Sequence, residues 1–155
     1  MEDFRIVPFD KSRIERVVAF EEELRAQEPD TYYWEPDEAY RQALTASFAD
    51  GGRFQNAVSF LAERDGRVIG RIDAVILAGR SDPACASAYL DWICVLKSER
   101  HKRVAQALLD ALRAALRERG VSLLVALMAQ NEEAQRFYRA VEGASVHDEG
   151  IWIDL

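Results

Sequence analysis

The sequence predicts a mixed α/β (α+β) domain around one largely central sheet. Strand-like apolar runs crowd its first two-thirds, and helix and strand alternate afterwards. An Asp-Gly pair between two apolar runs adds a hairpin. A length of 155 residues suits one core rather than two.

Phe4, Ile6 and Val7 form a short first strand, ended by Pro8. Asp10 caps a helix from Lys11 to Ala26, with Ile14, Val17, Val18 and Leu24 at helical spacing, and Pro29 stops it. Thr31-Tyr32-Tyr33-Trp34 is an aromatic cluster between proline breaks. A second helix starts at Pro36, with the proline in its first turn, and runs to Phe48. Ala57 to Glu63 and Val68 to Leu77 are strands around Arg64-Asp65-Gly66-Arg67, and Gly70 marks a bulge. Ala88 to Val95 is a further strand, with Leu90, Trp92 and Cys94 on one face and Asp91, Ile93 and Val95 on the other.

Lys102 to Arg119 is an amphipathic helix. Val104, Leu108, Leu112 and Leu116 recur every four residues, and Gly120 closes it. Val121 to Met128 is an apolar run that reads as a strand buried on both faces. Asn131 caps a helix through Val141, and Glu132 and Glu133 suit its positive end. Ala144 to His147 and Ile151 to Leu155 form a final hairpin around Asp148-Glu149-Gly150.

Composition excludes several classes. The net charge of −7 argues against a general nucleic-acid binder. No apolar run approaches the roughly 20 residues that span a bilayer, so no membrane role is expected. The start MEDFRIVPFD is not a secretory signal, so the expected location is cytoplasmic. Cys85 and Cys94 make neither a disulfide framework nor a zinc spacing, and they read as free, buried thiols with no metal expected.

Two stretches carry chemistry. After the strand ending at Val95 comes a basic loop, Leu-Lys-Ser-Glu-Arg-His-Lys-Arg103, that opens the long helix. Free N–H groups at a helix start bind anions, whereas cations do not favour that end for its own stability. Arg100, Lys102 and Arg103, with His101 among them, therefore suggest an anion held between side chains and backbone; a solvated basic turn is the alternative. The second stretch is Asn131-Glu-Glu-Ala134-Gln-Arg-Phe-Tyr138. Taken alone, Asn131 is a helix cap and Tyr138 a partly buried tyrosine.

Together the two stretches resemble the GNAT family of N-acetyltransferases. That family's pattern is a loop R/Q-x-x-G-x-G/A opening a helix, another strand, then N-x-x-A-x-x-x-Y. Here the loop reads Arg100-His-Lys-Arg-Val-Ala105 and the later motif is complete. The resemblance spans nearly the whole chain and is most specific from Leu90 to Gly143. It implies a single domain over 1–155, with a central mixed, mainly antiparallel sheet of about six to seven strands flanked by about four helices.

The resemblance further implies acetyl-CoA as cofactor and a primary amine of a small molecule as acceptor. Arg100, His101, Lys102, Arg103, Val104 and Ala105 would wrap the pyrophosphate. Ile93, Cys94 and Val95 would line the pantetheine arm, with a backbone N–H polarising the acyl carbonyl. Asn131 would contact the arm and Tyr138 would protonate the departing thiolate. Asp91 is expected to take the amine proton, directly or through water; the alternative is a hydrogen-bonded surface carboxylate. Cys94 is not needed as a nucleophile, because direct attack has no covalent enzyme step. Homodimers are common in such a family.

Arg103 departs from the pattern, which has glycine there. Its side chain either obstructs a phosphate or points outward and adds a contact. An obstructed loop would make the chain a non-catalytic binding or sensor module. An unrelated phosphate-binding α/β protein is a third reading.

The charge is uneven. Glu21 to Glu38 holds eight acids and one base, whereas Lys97 to Arg103 holds four bases and one acid. The resemblance places the acidic segment beside the acceptor. Tyr32, Tyr33 and Trp34 then become candidate acceptor contacts, and a cationic amine the favoured acceptor.

Overall fold

The computed structural model describes residues 3–77 and 86–155. The chain divides into two compact units, 1–125 and 126–155. In the first, β1 (Arg5–Pro8) leads through a 3-10 turn (Lys11–Arg13) into α1 (Ile14–Gln27), then α2 (Glu38–Ala46). A second 3-10 turn (Arg53–Asn56) precedes β2 (Ala57–Arg64), β3 (Arg67–Leu77) and β4 (Ala86–Val95). A third turn (Lys97–Glu99), α3 (Val104–Glu118) and β5 (Val121–Ala126) follow. The sheet order is β1-β2-β3-β4-β5, and the first four strands pair antiparallel.

The local sequence explains most of these elements. Asp10 accepts from the Ser12 N–H to start the first turn, and Asp37 accepts from the Tyr40 N–H to cap α2. Pro36 therefore lies just before the cap, not inside the helix. Asp65 and Gly66 both take positive φ, 51° and 78°, as a two-residue hairpin turn requires. The bulge between β2 and β3 falls on Ile69, one residue before the predicted Gly70. Gly70 serves packing instead: a Cβ there would lie 3.1 Å from side-chain atoms of Val104 and Leu108. That close approach seats the start of α3 against β3 and β4, because Gly70 pairs with Val95.

A second bulge corrects the predicted faces of β4. Asp73 pairs with Trp92 and Ala74 with Leu90, so Asp91 is the extra residue between them. The alternation breaks there. Trp92 and Cys94 share a face with Asp73 and Arg71, on which α1 lies through Glu21. Leu90 moves to the opposite face with Ile93 and Val95, under α3. There Val104, Leu108, Leu112 and Leu116 are buried, as their spacing predicts.

Two expectations fail at the end of the chain. β5 is not buried on both faces: Leu123 and Val125 are 58% and 46% exposed, because β5 stands last in the strand order. The final hairpin also does not form, so the described sheet has five strands rather than six or seven. Two segments of four and five residues bury too little to hold a hairpin, and Val146, Ile151, Trp152 and Ile153 stay exposed.

In the second unit α4 (Glu132–Arg139) starts at Asn131, whose side chain accepts from the Ala134 N–H at 2.8 Å. Gly143 takes φ 78°. Among the described residues, no helix is long and apolar enough to cross a membrane, and no group of three or more potential ligands could hold a metal. Cys94 is a free, buried thiol, whereas Cys85 lies outside the described residues.

Candidate active site

The loop that opens α3 keeps the backbone its glycine pattern implies, without the glycines. His101 and Arg103 both take φ 63°, the left-handed region that glycine enters most readily. Their side chains, and that of Lys102, are exposed. The bulk of Arg103 therefore does not fill the loop. Left-handed residues leading into a helix turn successive N–H groups to one side, a concavity that suits phosphate oxygens. Arg103 makes no side-chain cap to α3. Asp37 and Asn131, by contrast, cap α2 and α4 with their own side chains. The start of α3 thus fits an external anion.

The basic charge of this loop is partly committed to the protein itself. Arg100 grips Glu28 with two bonds, Nη1 to Oε1 at 3.1 Å and Nη2 to Oε2 at 2.5 Å. Lys102 Nζ donates to Glu99 Oε2 at 3.0 Å, and Arg64 reaches the same carboxylate. Burial opposes ionisation of Glu99, but Lys102 and Arg64 hold its pKa below the usual carboxylate range.

The end of β4 supplies backbone donors. The Leu96 N–H is bonded to the Ile69 carbonyl on β3. Antiparallel alternation then sends the Cys94 N–H to β3 as well, and turns those of Ile93 and Val95 to the other side. Of the three predicted positions, Ile93 and Val95 keep N–H groups outside the β3 ladder. Burial raises the Cys94 thiol well above its ordinary pKa, which suits a packed thiol and not a nucleophile.

Beyond β4 lies a cluster of aromatic and charged side chains. Trp34 meets Trp92 edge-on at 5.4 Å and Tyr32 at 5.5 Å. Tyr33, the third predicted contact, is 82% exposed. Asp91 is exposed at its bulge and bonded to Arg53. Tyr32 is half-buried; burial, with Glu28 nearby, pushes its hydroxyl up to about 12.

Beneath the aromatics lies an ionic core that the sequence reading missed. Arg71 Nη1 donates to Glu21 Oε1 at 2.8 Å, and Arg71 Nη2 lies 2.8 Å from Asp73 Oδ2. The guanidinium packs on Phe9 at 4.9 Å and Trp92 at 5.2 Å. Trp34 Nε1 donates to Glu21 Oε2 at 2.9 Å, and Ser59 donates to Asp73. All three charged residues are fully buried. Burial works against the Arg71 charge, yet Asp73 and Glu21 raise its pKa above the ordinary value. The available signal was Arg71-Ile-Asp73 inside an apolar strand, two charges on one face.

The predicted residues therefore fall into two described groups. The first unit holds the loop 100–105, the end of β4, Asp91, Tyr32 and Trp34: Arg100 bonds the Tyr32 side chain and Trp34 meets Trp92 on β4, whereas Asp91 meets Arg53. Asn131 and Tyr138 belong to the second unit, where Tyr138 is half-buried and meets Phe137 edge-on at 5.2 Å.

The sequence matches the Acetyltransferase (GNAT) family over residues 17–142, and the chain belongs to that family. No curated protein matches it. An aminoglycoside acetyltransferase from an uncultured soil metagenomic sample, solved with sisomicin, is similar: TM-score 0.78, 15% identity, covering 99% of this chain and 97% of that one. A ribosomal-protein-alanine N-acetyltransferase from Brucella melitensis biovar Abortus 2308 matches with TM-score 0.74 and 19% identity over 98% of each chain. AAC(6')-Iy, solved with a bisubstrate analogue joining CoA to acetylneamine, matches with TM-score 0.71 and 20% identity over 98% of each chain.

Proposed function

We propose that the chain is a single-domain N-acetyltransferase that moves an acetyl group from acetyl-CoA to a primary amine of a small cationic acceptor by direct attack. The observation that carries this reading is the loop 100–105, left-handed at His101 and Arg103 and opening a helix without a side-chain cap. The arginine that favoured a non-catalytic module takes the left-handed backbone that glycine enters most readily, which supports the catalytic reading.

Acetyl-CoA supplies the acyl group already activated as a thioester. The N–H groups of the loop and of Val104 and Ala105 hold the pyrophosphate, and the outward Arg103 adds charge. An N–H of Ile93 or Val95 would donate to the acyl oxygen and stabilise negative charge there. Asn131 contacts the cofactor arm. Asp91 accepts the proton that the acceptor amine must lose, directly or through one water. Tyr138 Oη is the proton donor on the leaving side, where a phenol of reference pKa about 10 needs positioning more than driving force.

Five of the eight acids between Glu21 and Glu38 meet arginines: Glu21, Glu23, Glu28, Glu35 and Glu38. Their summed field is therefore small. What remains is the wall of Tyr32, Trp34 and Trp92, over a buried group in which two carboxylates face one guanidinium. Electron-rich aromatic rings suit a cation, and Trp92 already takes one in Arg71. The similar structure holding sisomicin supports the same class.

Calorimetry with acetyl-CoA tests the cofactor. Micromolar binding is expected, and none at millimolar ligand overturns the reading. A panel of polyamines, aminoglycosides and amino acids tests the acceptor. Turnover confined to neutral or acidic acceptors overturns the cationic assignment.

A further inference from the structure

The acidic segment and the basic loop, far apart in sequence, are joined by an ionic clasp. Glu28 is the C-cap residue of α1, and the aromatic loop begins directly after it. Its backbone carbonyl accepts from the Thr31 N–H at 3.1 Å and the Tyr32 N–H at 3.0 Å, which folds the start of that loop. Its carboxylate takes both bonds from Arg100, the first residue of the anion-fitting loop. Arg100 also bonds the Tyr32 side chain. Both ends of the pair are largely shielded, with side chains 20% and 16% exposed. A second stitch lies one residue away, where Gln27 Nε2 donates to Ser98 Oγ at 3.3 Å and the Ser98 N–H donates to Gln27 Oε1 at 3.2 Å.

We propose that Glu28 is a positioning residue: through Arg100 and Tyr32 it couples occupancy of the cofactor loop to the order of the aromatic acceptor loop. The proposal rests on the cofactor reading above. A bidentate guanidinium–carboxylate pair holds one geometry and not a range, so it transmits ordering where a single flexible contact would not. Ordering of residues 100–103 by a bound pyrophosphate fixes the Arg100 backbone. The fixed guanidinium then restrains Glu28 and Tyr32, and with them the turn that presents Trp34. By linkage, an acceptor that orders the aromatic loop strengthens cofactor binding by the same factor. Cofactor binding thus favours assembly of the acceptor site.

Hydrogen exchange with coenzyme A as the probe reads this directly. The Thr31 and Tyr32 amides, bonded to the Glu28 carbonyl, report on the aromatic loop, and peptide 100–107 reports on the cofactor loop. At saturating coenzyme A, exchange slows in 100–107 and also by about fivefold or more in 28–34. Glu28→Gln keeps the side-chain shape but loses the ionic grip. Arg100→Lys keeps the loop charge but loses the two-pronged geometry. In Glu28→Gln, 100–107 keeps its protection while the slowing in 28–34 disappears; in Arg100→Lys, which alters the cofactor loop itself, the slowing in 28–34 disappears at coenzyme A concentrations that restore protection of 100–107. A mere loss of stability would speed exchange equally with and without coenzyme A, leave the ligand response in place, and overturn the proposal. Full responses in both variants overturn it too. Protection of wild-type 100–107 with no slowing in 28–34 overturns the coupling alone. No protection of 100–107 overturns the cofactor reading and the coupling with it.

Discussion

The acidic helix–loop–helix between Glu21 and Glu38 and the basic loop between Lys97 and Arg103 carry opposite charge in the sequence, yet they spend it differently. In the acidic region most carboxylates find arginines on α1, α2, β3 and the basic loop. Its charge is mainly structural. The basic loop also pairs Arg100 and Lys102, but it leaves Arg103 exposed and holds its backbone in a conformation whose N–H groups suit an anion. A local sum of charges therefore does not report a local field. Fields survive where backbone geometry, not side-chain count, makes the site.

Removing Arg71 tests the structural side most severely. Arg71→Ala leaves Glu21 and Asp73 buried without their cation, so urea unfolding should show a loss of about 3–5 kcal/mol. A loss under about 1 kcal/mol would mean that the ionic core behaves like a surface pair. On the chemical side, Tyr138→Phe should lower kcat by about 100-fold with KM little changed. Wild-type turnover would remove Tyr138 from the mechanism.

Smaller effects sharpen the contrast. Arg103→Gly should relieve left-handed strain of about 1 kcal/mol, raising Tm by about 2–4 °C. The same variant should bind coenzyme A more weakly, since the lost side chain points outward; tighter binding would mean that Arg103 obstructs. Glu99 tests the loop's internal pairing. Its folded pKa lies below the reference of 4.5, so its contribution is present above about pH 4.5 and lost as pH falls through the lower folded value. Tm should drop on acidification, and less steeply in Glu99→Gln; identical slopes would remove Glu99 as a contributor. The exposed pair Arg25–Glu35 should matter least, with Glu35→Gln costing about 0–1 kcal/mol in urea unfolding.

The comparison also marks how far the sequence could be read. The amphipathic α3, the Asp65-Gly66 hairpin and the Asp10 and Asn131 caps depend on neighbours within a few residues, and such patterns are legible locally. The β4 bulge was not legible, because one extra residue at Asp91 reverses the facing of everything beyond it. Nor was the end of the chain, where alternating apolar residues satisfied a strand pattern but found no ladder. Of the candidate residues, the loop 100–105 and Tyr138 come from motif spacing. Glu28, Arg53, Arg71 and Asp73 were missed, because their partners lie dozens of residues away.

By itself the sequence determined the mixed α/β class, the two motifs and the position of the basic loop before α3, all of which are short-range patterns of period, cap and spacing. Only the tertiary structure decided which charges remain available. Ion pairing depends on distances in space, and folding brought Glu28 to Arg100, Glu21 to Arg71 and Arg53 to Asp91. It also decided the backbone of Arg103. A residue that prefers negative φ is held at φ 63° between a strand and a helix, a backbone that local sequence does not specify.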